Sequence, residues 1–70
     1  MTTQKIDKRF GTIAIEKGFI TQEQLFEVLK IQVAEELEGD KRRLVGQILY
    51  DKGFITPDQI DEVLISMGML

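Results

Sequence analysis

The stretch Lys17-Gly18-Phe19-Ile20-Thr21, KGFIT, returns unchanged as Lys52–Thr56 in a chain of only 70 residues. Each occurrence reads as a joint between two helices. Before it, Phe10, Ile13, Ala14 and Lys17 recur at helical spacing, and Gly18 stops the run by taking the left-handed conformation that a Cβ would penalise. Phe19 then falls where it packs back on the last turn, near Ala14. Thr21 opens the next helix as N-cap, and Thr21-Gln22-Glu23-Gln24 is a capping box. Ile20 and Leu25 have the spacing of a hydrophobic staple across that cap. The second copy repeats these parts with Gly53, Phe54, Thr56, Gln59, Ile55 and Ile60. It adds Pro57 at the first helical position, where a missing N–H is harmless.

Working outward, a shift of 35 residues lays Arg9–Gln32 on Leu44–Met67 without a gap, and 11 of the 24 pairs are identical. That density, with Glu16 on Asp51 and Leu25 on Ile60 besides, identifies an internal duplication. The second helix of each unit carries an apolar stripe: Leu25, Val28, Leu29 and Gln32, then Ile60, Val63, Leu64 and Met67. The first of these runs on to Leu37, with Gly39 as its stop and Asp40 capping the next helix. The spacing predicts helices near 5–17, 22–38, 41–52 and 57–67. The fold class is all-α: one domain over 1–70, a small bundle of four helices built from a duplicated helix–joint–helix unit over 9–32 and 44–67. Neither unit buries its stripe alone, so the two are expected to share one core.

Composition narrows the function. Without cysteine or histidine the chain has no disulfide, no thiolate chemistry, no usual zinc ligand and no commonest general base. A net charge of −3 argues against DNA or RNA as partner, which needs a basic face. The N-terminal MTTQKIDKRF lacks the apolar heart of a signal peptide, and no apolar run nears the length of a membrane span. A cytoplasmic domain without membrane insertion is the expectation. No carboxylate stands out in an apolar setting and no nucleophile has a base beside it, so an enzyme is not expected.

Several tempting sites read better as structure. GTIAIEKG has the glycines and lysine of a phosphate loop, but in the wrong order and inside a helical pattern. Asp51 and Glu62 stand at the first and twelfth positions of a calcium loop, yet Gly53 and Ile55 occupy positions that need oxygen ligands. No metal or cofactor is therefore expected. Lys41-Arg42-Arg43 places cations in the first turn of the third helix, against the helix dipole, which hints at an anion-facing role. Glu35, Glu36, Glu38 and Asp40 form a solvated acidic patch. Ile15, Phe26, Ile31, Tyr50 and Ile65 fall off the main stripes; together they outline a candidate surface for a protein partner or a weak homodimer, with the tail Met67–Leu70 beside it.

Arg9, Gly11, Gly18, Leu25, Leu29 and Gln32 follow the pattern R-L-G-x-x-L-x-x-x-G-x-x-x-x-x-x-L-x-x-x-L-x-x-Q, with Phe10 and Ala14 in place of its first two leucines. Over residues 9 to 67 the chain thereby resembles the N-terminal domain of type II secretion and type IV pilus ATPases, the GspE/MshE type. The resemblance implies a small helical module that stands ahead of a motor ATPase and engages other parts of a secretion or pilus machine. In some members the two motifs bind cyclic di-GMP, one half each. Carried over, that ligand would fall to Arg9, Gly11, Gly18 and Gln32 in the first motif and to Arg43, Gly46 and Gly53 in the second. The second motif departs from the pattern, with Leu44 in place of arginine and Met67 in place of glutamine; Arg43 stands one residue early. The sequence has no ATPase domain, which fits either a fragment or a stand-alone relative. Two readings follow: a non-enzymatic interaction or regulatory module for a protein partner, which the damaged second motif favours, and a cyclic di-GMP receptor working through the first motif.

Overall fold

Both KGFIT joints close one helix and open the next. The computed structural model describes residues 2–39 and 43–69, with side chains from Lys8 onward, and contains four helices: α1 (Thr2–Glu16), α2 (Gln22–Glu38), α3 (Val45–Asp51) and α4 (Pro57–Ser66). No strand occurs among the described residues, and the all-α class holds.

The two joints are the same object twice. Gly18 and Gly53 take φ of 78° and 77°, in the left-handed region that favours glycine. The N–H of Phe19 donates to the Ala14 carbonyl and that of Phe54 to the Leu49 carbonyl, each at 2.9 Å. These bonds satisfy carbonyls the helix end would leave open. Thr21 Oγ1 accepts from the Gln24 N–H at 3.1 Å, while the Thr21 N–H donates to Gln24 Oε1 at 3.0 Å. Thr56 and Gln59 repeat that reciprocal pair at 3.2 and 3.0 Å. The tail uses the same closure a third time: Met69 donates to the Leu64 carbonyl at 2.9 Å, after Gly68.

The copies do not fold as two hairpins laid side by side. The extensive helix interfaces are α1 with α3, α1 with α4 and α2 with α3, and each joins one copy to the other. The core draws Phe10, Ala14, Ile20, Leu25 and Val28 from the first copy and Val45, Ile48, Leu49, Ile55 and Val63 from the second. Six of these side chains, Ala14, Val28, Val45, Ile48, Leu49 and Val63, are fully buried. Close approach is obtained at two helical glycines. A Cβ at Gly11 would lie 2.6 Å from Leu25 Cδ1, and one at Gly46 would lie 3.1 Å from the Phe10 ring. These two glycines let a leucine and a phenylalanine seat directly on helix backbone.

The third helix corrects the sequence expectation. It begins at Val45 rather than near residue 41, with Leu44 as an extended N-cap (φ −75°, ψ 156°) whose N–H donates to Gln47 Oε1 at 2.9 Å. Arg43 stands outside the helix because both its ends are held: the Gln32 amide Nε2 donates to its carbonyl at 3.1 Å, and its guanidinium grips α2 and α3. The proposed cap at Asp40 lies outside the described residues, as do Lys41 and Arg42. The first helix starts earlier than expected, at Thr2.

Candidate interaction surface

The residues carried over from the cyclic di-GMP motif separate into three settings. Gln32 and Arg43 are engaged within the chain. Besides the Gln32 bond to the Arg43 carbonyl, Arg43 Nε reaches both Glu35 carboxylate oxygens at 3.2 Å, Nη2 donates to Glu35 Oε2, and Nη1 donates to Asp51 Oδ2 at 2.7 Å. Glu35, and after it Asp51, hold the guanidinium proton more tightly than in an ordinary arginine. A group whose folded pKa is raised stabilises fully below its unfolded pKa and loses that contribution only on rising through the folded value. The clamp's arginine is therefore charged at every working pH. It ties the end of α2 to the end of α3 across the segment between the copies.

Gly11, Gly18, Gly46 and Gly53 all have structural duties. Gly11 is covered by Leu25 and Gly46 by Phe10, while Gly18 and Gly53 serve the helix ends. Arg9 is exposed on α1, where it lines a shallow hollow with Thr12, Ile13, Glu16, Lys17 and Ser66. Arg9 and Arg43 thus sit in different surroundings, one open and one clamped.

The five candidate partner residues also divide. Ile15 and Ile31 are half-buried against the core. Phe26, Tyr50 and Ile65 are exposed. Met69, of the tail expected beside this surface, is exposed as well, and the structure adds three further large exposed apolar side chains, Val33, Leu37 and Leu44. Two patches result. Phe26, Leu29, Val33 and Leu37 form a ridge along α2, with Lys30 and Ala34 on it. Tyr50, Leu44, Ile60 and Leu64 line a half-open groove of about 250 Å³ between α3 and α4, floored by Phe10 and Gly46. Ile65 lines neither. The signal for the ridge was present in the sequence, since 26, 33 and 37 share a face at seven- and four-residue spacing. Nothing local told that this face would stay uncovered.

The duplication separates what the fold needs from what it does not. Position 26 corresponds to Asp61 in the second copy and Lys30 to Ile65, while Val33 and Leu37 lie beyond the paired segment. The core positions Leu25 and Val28 keep apolar twins, Ile60 and Val63. Leu29, at the edge of the ridge, keeps its twin Leu64, but the exposed Phe26, Lys30, Val33 and Leu37 are not part of the repeated framework. Among the described residues no cluster of three or more His, Cys, Asp or Glu is placed to hold a metal, and no helix is long and apolar enough to cross a membrane.

Comparison with family models, with curated proteins and with solved structures gives no match for this chain.

Proposed function

We propose that this domain is a non-enzymatic interaction module that binds a protein partner through its exposed apolar side chains. The observation that carries the reading is Phe26: it is 58% exposed, the core is complete without it, and its twin in the second copy is an aspartate. An exposed phenylalanine that the framework does not use is what a contact surface requires. The resemblance to the N-terminal domains of secretion and pilus ATPases supports the same reading, because such domains engage other components of their machine. The cyclic di-GMP alternative has less support, since the Gln32 amide donates to the Arg43 carbonyl, the Arg43 guanidinium is held by Glu35 and Asp51, and Gly11 lies beneath Leu25.

The test is site-specific photocrosslinking in the native cell, with the crosslinker replacing Phe26 or, as control, the exposed Asp58. The expected result is a discrete adduct of higher mass from position 26 and none from position 58. Equal labelling from both positions overturns the reading. So does calorimetric saturation of the purified chain by cyclic di-GMP at low micromolar concentration, with amide shifts at Arg9, Gly11 and Gln32; that outcome makes it a nucleotide receptor.

A further inference from the structure

The charges around the α2 ridge point to the chemistry of what covers it. Resting on the interaction-module reading, we infer that the ridge receives a basic amphipathic helix of another protein, about three turns long, with one acidic residue near its midpoint. Phe26, Val33 and Leu37 are 58%, 53% and 84% exposed and span about 16 Å of helix at 1.5 Å per residue. An apolar strip of this length on one helix suits side-by-side packing of a second helix, in which contacts recur every three or four residues.

At about 3.6 residues per turn, Glu23, Glu27 and Glu38 fall along one border of the ridge and Glu36 along the other. All four are exposed. Among the described residues, Lys52 pairs with the first border from a packed neighbour, its Nζ 2.8 Å from Glu27 Oε2. The contact of Glu35 with Arg43 lies on the opposite side of the helix. An apolar strip between acidic borders selects an apolar strip between basic ones, by attraction on encounter and by rejection of acidic competitors.

Lys30 supplies the second half of the description. It sits on the ridge between Phe26 and Val33, so an apolar residue opposite it would bury an ammonium without a partner. A single carboxylate at the middle of the incoming helix meets it and fixes the register, as a lone polar residue does in paired helices. The same charges disfavour a second copy of this chain. Antiparallel pairing of two ridges sets Glu23 of one against Glu38 of the other; parallel pairing sets Lys30 against Lys30.

The test uses two synthetic amidated peptides of roughly 15 residues, long enough to cover the ridge. Both carry the same leucine stripe and a central glutamate; one has Lys/Arg borders and the other Glu borders. Each is titrated into the isotope-labelled full chain at about 50 and 200 mM salt, a range over which exposed charge pairs lose much of their reach. The basic peptide is expected to bind at least about tenfold more tightly, to weaken at higher salt, and to shift amides between Phe26 and Leu37. The double variant Phe26→Asp with Leu37→Glu is expected to lose that binding with its circular dichroism and melting temperature unchanged. Replacing the peptide's central glutamate by lysine is expected to weaken binding again.

Equal affinity for the two peptides overturns the inference, as does dimerisation of the chain through α2 in sedimentation. Shifts confined to Tyr50 and Leu64 also overturn it, while leaving the broader interaction reading intact through the other groove. If neither peptide moves any amide the inference fails by itself, and the crosslink from position 26 judges the broader reading separately.

Discussion

The two copies of the repeat share the hydrogen bonds of their joints and differ in the length and outer face of the helices the joints connect. Each has the same glycine end, the same threonine cap and an apolar pair across it, Ile20 with Leu25 and Ile55 with Ile60. Yet α1 has 15 residues and α3 only 7, and α2 has 17 where α4 has 10. The first copy places Phe10 and Ala14 where the second places Val45 and Leu49, a large and a small side chain against two of middling size. Because α1 packs on α3, these choices are complementary rather than redundant. Charge follows the same rule. Lys52 pairs with Glu27 of the other copy, but among the described residues no ion pair joins their twins Lys17 and Glu62. A duplicated chain that packs against itself is thus free to specialise one copy's outer face while both copies supply the core.

The largest test of that asymmetry is in the core. Ile48 is fully buried and its twin Ile13 only partly so. Ile48→Ala is expected to destabilise by about 2–5 kcal/mol, and Ile13→Ala by roughly half as much. A domain of this size commands only about 3–5 kcal/mol, so the Ile48 variant should be largely unfolded in a urea titration at room temperature. Equal midpoints for the two variants would mean that the copies share the core evenly.

The glycine pair comes next. Gly11→Ala drives a methyl to 2.6 Å from Leu25 and is expected to lose about 1–2 kcal/mol in thermal melts, even after the gain in helix propensity. Gly46→Ala meets the Phe10 ring at 3.1 Å, a contact that a shift of a few tenths of an ångström relieves, and is expected to be close to neutral. A reversed order would show that Phe10 is the more rigid neighbour.

The caps should show no asymmetry. Thr21→Ala and Thr56→Ala are each expected to remove about 1 kcal/mol, since both threonines make the same reciprocal pair with a glutamine. Unequal losses would break the equivalence of the joints. The smallest effect is expected on the ridge: Phe26→Asp, which writes the second copy's residue into the first, should change stability by less than about 0.5 kcal/mol while altering partner binding.

Much of this was legible beforehand because its causes are local. The glycine ends, threonine caps and glutamine partners act within five residues of themselves, so KGFITQEQ and KGFITPDQ announced them. The start of α3 was misread for the opposite reason. Lys41-Arg42-Arg43 follows a capping residue and looks like a first turn, but Arg43 is held by Gln32, Glu35 and Asp51, at separations of 8 to 11 residues. Of the candidate surface, Phe26, Tyr50 and Ile65 were readable as leftovers of the stripe pattern. Ile15 and Ile31 have the same spacing and turn inward against the core because a neighbouring helix reaches them.

The sequence by itself determined that the chain is helical, where its helices turn, and that it contains one unit written twice. Those properties rest on backbone hydrogen bonds and caps whose partners are sequence neighbours. Only the tertiary structure decided that the copies interlock, that Leu25 covers Gly11 while Phe10 covers Gly46, and that one face of α2 is left bare between acidic borders. A helical wheel names the faces of a helix, but which face is covered depends on side chains far along the chain and on the volume they fill.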